Sequence, residues 1–257
     1  MSLALAPTNR LPATPTGAAE QALRVDLAAA YRLSARMGWD DLIYTHITAR
    51  VPGEDGAFLI NPFGLRFDEI TASNLVKINI HGQIYGNDNV EVNAIGFRIH
   101  ATVHASRHDA HCVMHLHNVN GIAVSAQKNG LLPISQHAMR FYQQIGYHDY
   151  EGLSLTEPEG ERMLKSLANH PALFLRNHGT LVCGRTVAEA YVLMDMLDKS
   201  CAIQLKAQAG GVELIHPPHA VLAHTAQQLV SDDVPEGERE WPALLRLLDQ
   251  IDSSYRT

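Results

Sequence analysis

The stretch His111-Cys112-Val113-Met114-His115-Leu116-His117 (HCVMHLH) is a short apolar run closed by two histidines spaced two apart. Its pattern predicts a strand over residues 111–117, and on a strand residues i and i+2 project from the same face. His115 and His117 then stand side by side. A second apolar run, ALFLRNHGTL, places His178 at a turn between two further predicted strands. Three imidazoles from two strand ends can hold one cation and leave coordination positions open, the arrangement of a catalytic rather than a structural metal site. With 15 histidines in 257 residues, other pairs compete. His100/His104 and His104/His108 have the i, i+4 spacing that shares a helix face. They rank second, as packing or hydrogen-bonding residues of a helix.

A chain of 257 residues can bury a substantial core as one large α/β domain or two small ones. Hydrophobic residues at 46% and charged residues at 18% fit a globular protein in water. The net charge is −7 and no Lys/Arg-rich run occurs, so neither nucleic acid nor an anionic membrane surface is an expected partner. No apolar segment approaches the ~20 residues needed to span a bilayer. Cys112, Cys183 and Cys201 are widely spaced and odd in number, which predicts free thiols and a cytoplasmic location. The opening MSLALAPTNRLPATPTG lacks the plan of a signal peptide and reads as a disordered tail over residues 1–18.

Along the chain, the recurrence of Leu23, Leu27 and Tyr31 predicts a helix over roughly residues 19–37, ended by Gly38. LIYTHITARV, AFLINPF and LVKINIHGQI read as strands of an antiparallel meander broken by turn-forming stretches. Helices are expected at 94–107 and 118–128. Another is expected over EPEGERMLKSLAN with Thr156 as N-cap, and a long one from about 187 to 209, stopped by Gly210-Gly211. Residues 216–257 form a connector and a last amphipathic helix, WPALLRLLDQI. With no internal repeat or strong linker, residues 19–257 are read as one domain.

The segments YTHITARVPGEDGAFLINPFGLRFDEITASNLVKIN, VNAIGFRIHATVHASRHDAHCVMHLH, GLLPISQHAM, ALFLRNHGTLVCG and EREWPALLRLLD follow one another in an order that resembles the class II aldolase/adducin family, the adducin head above all. The resemblance runs from about residue 20 to the end. It implies a three-layer α/β/α sandwich with a largely antiparallel central sheet. It also implies a zinc or manganese ion held by His115, His117 and His178, and a homotetramer with sites between subunits. Enzymes of the family act on small-molecule substrates, as aldolases, an epimerase or decarboxylases.

Two departures from the family pattern bear on activity. Where the aldolases carry a Ser-Ser-Glu motif, this chain reads Ala94-Ile95-Gly96, so the proton-transferring glutamate is replaced by Gly96. Their phosphate-binding GNxSxR loop is Thr45-His46-Ile47-Thr48-Ala49-Arg50 here, and the threonine before a glycine is Phe63. Phenylalanine, alanine and isoleucine side chains donate nothing to a phosphate, which points away from a phosphosugar. Surrogates for the glutamate are Glu91, His100 or His137. Arg50, Asn61 and His46 are candidate substrate contacts, and Tyr255 resembles the mobile C-terminal tyrosine of some family enzymes.

Two functions follow as expectations. One is a metal-dependent carbon–carbon lyase, of aldolase or decarboxylase type, for a small non-phosphorylated oxo or hydroxy acid. The other is a non-catalytic, oligomeric adducin-like module. No lysine-rich tail of the cytoskeletal kind occurs in these residues, so actin binding is not expected by that route.

Overall fold

The computed structural model describes residues 10–86, 90–153, 157–230 and 234–257. Its first half runs β1 (Arg10–Leu11), α1 (Ala18–Arg36), β2 (His46–Arg50), β3 (Ala57–Ile60), β4 (Val76–Asn79), β5 (Ile84–Tyr85), α2 (Ala94–Ser106) and β6 (Cys112–Leu116). There follow α3 (Val119–Ser125), α4 (Gln136–Met139), β7 (Ile145–His148), α5 (Glu157–Leu167), β8 (Ala172–Leu175), β9 (Gly179–Gly184), α6 (Val187–Gln208), α7 (His219–Leu229) and α8 (Trp241–Ile251).

Among the described residues the strands form one nine-stranded sheet in the order β1-β5-β4-β3-β2-β6-β9-β8-β7. The expected largely antiparallel sheet is instead mixed. The inner pairings are antiparallel, but β1 lies parallel to β5 at one edge and β7 parallel to β8 at the other. Parallel neighbours need a crossover, and α5 supplies it between β7 and β8. The short run Ile145-Gly146-Tyr147-His148 is too brief to announce that strand in the sequence. β1 comes from residues expected to be tail, where Arg10 pairs with Ile84 and Leu11 with Tyr85. Thr156, the expected cap of α5, lies outside the described residues.

Strand alternation divides the core between the two faces of the sheet. Ile47, Ala49, Leu59, Cys112, Met114, Phe174 and Val182 join one cluster with Leu27 and Tyr31 of α1 and Leu193, Met194 and Leu197 of α6. From the other face, Val113, Leu173, Leu181 and Cys183 pack with Ile99 and Val103 of α2 and Met163 and Leu167 of α5. His115 follows the parity of Val113 and so shares the face covered by α2 and α5.

The expected strand LVKINIHGQI is two strands, because Gly82, at φ 80°, turns the chain between β4 and β5. The C-terminus is docked: Ala72 N donates to Tyr255 O at 2.8 Å and Ser73 N to Thr257 O at 2.9 Å. Tyr255 itself is fully buried, its hydroxyl bonded to Asp249 Oδ1 at 2.8 Å. Within this chain its ring packs in the core and does not line the cavity described below.

Candidate metal centre

β6 carries His115, its penultimate residue, on the sheet face beneath α2, and His117 stands just past the strand's end at Leu116. The β8–β9 turn brings in His178. One ring nitrogen from each lies within 4.8 Å of the others. Gly179 permits this approach, since a Cβ there would lie 2.5 Å from Leu116 O and 3.3 Å from His115 Cε1. The turn is pinned from behind by Arg176 Nη1, which donates to Ser125 O at 3.2 Å and to Gln127 O at 2.9 Å.

Two of the rings have their tautomers set by partners. A carbonyl can only accept, so the 3.0 Å contact from His115 Nδ1 to Thr180 O puts the proton on Nδ1. His117 Nδ1 likewise donates to Asp41 Oδ2 at 2.8 Å. Both are left with Nε2 as the lone-pair nitrogen, as a metal ligand must be, with the other nitrogen oriented by a carbonyl or carboxylate. Burial holds His115 well below the ordinary imidazole range, and burial together with the neighbouring His117 lowers His178 to about 4. Neutral imidazoles are the form that binds cations. The donor set therefore fits a divalent transition metal.

The three rings face a cavity of about 370 Å³. Its walls include Ile95, Gly96 and Ile99 of α2, Met163 of α5, His46 of β2, and Tyr150 and Arg176 from the loops. Asp41, Asp149, Glu151 and Glu159 also line it, against Arg176 as the one guanidinium or ammonium group of the lining among the described residues. Asp41 was not foreseen from the sequence, because nothing local in WDDLIYTH marks an acid that reaches a histidine 76 positions away.

The other candidates fall elsewhere. Arg50 lies against the C-terminal end of α2, where its guanidinium donates to the carbonyls of His104, Arg107 and Ala110. Glu91 and His137 are exposed and do not line the cavity. Asn61 is buried behind His46 and accepts from its Nδ1 at 3.1 Å. Of the three substrate-contact candidates, only His46 reaches the cavity.

His46 answers the question posed by Gly96. A Cβ on Gly96 would lie 1.8 Å from His46 Cδ2 and 2.0 Å from its Nε2, so the imidazole occupies the space a side chain at position 96 would need. One turn on, His100 is fully buried; its Nδ1 lies 2.7 Å from Thr48 Oγ1, which is 2.8 Å from His104 Nε2. His104 Nδ1 in turn donates to Ala110 O at 3.2 Å. This fixes the chain: Thr48 donates to His104 and accepts from His100, whose Nε2 remains a buried acceptor without a partner among the described residues. The i, i+4 histidines thus knit α2 to β2.

Burial lowers His46 to about 4 and His104 to about 3. In the unfolded chain such groups titrate near 6.5, so below that pH unfolding takes up protons and acid favours the unfolded state. Stability is expected to be flat above pH 6.5 and to fall towards pH 4, by about 1.4 kcal/mol per pH unit for each imidazole kept neutral. Urea melts across this range check it, and His104→Leu should lower the steepness by one proton.

A crystal structure of an aldolase II superfamily protein from Pseudomonas syringae superposes with a TM-score of 0.90 at 47% identity, covering 94% of this chain and 97% of that one. L-fuculose 1-phosphate aldolase from Glaciozyma antarctica PI12 matches at 28% identity and a TM-score of 0.82, over 95% and 97% of the two chains. Alpha-adducin of Rattus norvegicus is 41% identical over 258 residues, which span 93% of this chain but 34% of the adducin. Residues 25–205 match the family described as Class II Aldolase and Adducin N-terminal domain, and the chain belongs to that family.

Proposed function

We propose that this chain is a metal-dependent carbon–carbon lyase, of aldolase or decarboxylase type, acting on a small, non-phosphorylated oxo or hydroxy acid. The observation that carries this reading is the convergence of His115, His117 and His178 nitrogens on a cavity. Zinc is the preferred ion, with manganese as the alternative. Bound there, it would take up the negative charge that develops on a substrate oxygen when a bond beside a carbonyl breaks.

The chain's own residues narrow the substrate. The first N–H groups of a helix commonly bind phosphate, but in α2 Ile95 N and Gly96 N already donate to Asn93 Oδ1 at 3.0 and 3.2 Å. The carboxylate-rich lining disfavours a dianion further. Ile95, Ile99, Met163 and Leu175 offer an apolar wall against which a small carbon skeleton packs.

A three-layer α/β/α arrangement fits the helices on both sheet faces. A cytoplasmic homotetramer with sites at subunit boundaries fits the exposed Tyr44, Tyr150 and Leu153 at the cavity. The second reading, a non-catalytic adducin-like module, is favoured by the adducin likeness together with the absence of a glutamate at position 96.

Elemental analysis of protein grown in metal-replete medium is expected to find about one divalent ion per chain. A metal-free wild type would sink the lyase reading. Oxo acids screened for metal-dependent CO2 release or retro-aldol products, beside F-actin co-sedimentation, separate the two functions. Asp41→Asn is expected to weaken metal binding by about 10-fold or more without unfolding the protein, because it removes the carboxylate that orients His117. Competition with a fluorescent chelator measures it.

A further inference from the structure

We propose that His46 is a substrate-contacting residue that takes the place of the family's missing glutamate and selects a 2-hydroxy acid by accepting a hydrogen bond from its hydroxyl. The proposal rests on the metal reading above.

His46 is held from both sides. Its Nδ1 faces Asn61 Oδ1, which also lies 2.9 Å from the Tyr31 hydroxyl. Asn61 turns its amide oxygen to the ring, and an oxygen that can only accept takes the Nδ1 proton; its Nδ2 points the other way and has no partner among the described residues. The nitrogen left over is Nε2. It lies above Gly96, on a ring that lines the cavity, and no hydrogen bond to it exists among the described residues.

The ring is only 3% exposed, so what little surface it keeps opens on the cavity. His46 is also the cross-strand partner of His115. An acceptor thereby lines the same cavity as the three candidate ligands.

A bare lone pair accepts and cannot donate. It repels phosphate or carboxylate oxygens, which are acceptors too, and rewards an O–H. A ligand that places a carboxylate at the cation and a hydroxyl one carbon away satisfies both ends. In the family pattern, position 96 carries an ionised side chain and position 46 an asparagine. Here the helix position is glycine, and the imidazole on the strand fills the space above it.

The test uses the zinc-loaded full chain and two probes, glycolate and methoxyacetate, which differ by the hydroxyl proton. Calorimetry is expected to show that the wild type prefers glycolate. His46→Phe should keep zinc, lose about 10-fold in glycolate affinity, and bind methoxyacetate as before. In wild-type protein with 15N-labelled histidine, the His46 Nε2 resonance should move with glycolate and stay still with methoxyacetate, a measurement that needs no variant.

A zinc-loaded His46→Phe that binds glycolate as tightly as the wild type overturns the proposal. So does an unmoved Nε2 resonance, or a zinc-loaded wild type that ignores glycolate. A wild type that holds no zinc overturns the metal reading and this one together, so the two failures are told apart by the metal content.

Discussion

His115→Ala is expected to abolish stoichiometric metal binding, with affinity reduced by about 100-fold or more. Structural zinc in four-ligand peptides binds with roughly 10–16 kcal/mol, or about 3 kcal/mol per ligand, and each 1.4 kcal/mol is tenfold. Three imidazoles have less to spare than four ligands. The variant also loses the Nδ1 bond to Thr180 O, so its metal-free form should itself be about 1 kcal/mol less stable. The diagnostic quantity is the response to zinc. At about 100 times the dissociation constant, a metal that binds only the folded chain stabilises it by about 2.7 kcal/mol. The wild-type melting midpoint should rise by several degrees, while that of His115→Ala stays where it was. Equal rises would show that the ion binds elsewhere.

Gly96→Ala is expected to destabilise the wild type by about 2 kcal/mol or more, and to change sign once His46 is trimmed. The new methyl would meet His46 at 1.8 Å. The ring cannot swing away without giving up Asn61 and crowding His100, whose ring centroid is 6.1 Å off. Overpacking of this kind costs about 1–3 kcal/mol, and the lost hydrogen bond about 1 more. Against that, alanine is favoured over glycine in a helix by up to about 1 kcal/mol. In a His46→Ala background only the favourable part remains, so Gly96→Ala should there be neutral or stabilising. The coupling energy between positions 46 and 96 would be at least about 2 kcal/mol, measured by urea melts of the four proteins. Additive effects would mean that the ring yields freely.

The triad was legible because period-two alternation places His115 and His117 on one face, and because an Asn-His-Gly turn closes the neighbouring hairpin. The packing of His46 above Gly96 was not. It joins residues 50 positions apart, and glycine in a sequence carries no sign of what fills the space above it. Long periodic elements such as α1, α2, α6 and α8 were readable within a residue or two at each end. Pieces of four residues, α4 and β7, have too few positions to display a period, and β1 has only two. Arg50 looked like an anion clamp because a family loop ends in arginine there. Three carbonyls at the end of α2 claim it instead, through a contact that depends on how the helix is laid across the sheet.

The carbonyl of Ala110 sets the sense of everything upstream of it. Since a carbonyl cannot give a proton, His104, Thr48 and His100 must all point their hydrogens the same way, like tiles laid from one fixed corner. No member of the row can be reversed alone; the whole row would have to turn over, and its far end offers no donor to begin the turn. The wall between helix and strand is in this sense polarised, with every hydrogen in the row aimed towards one carbonyl.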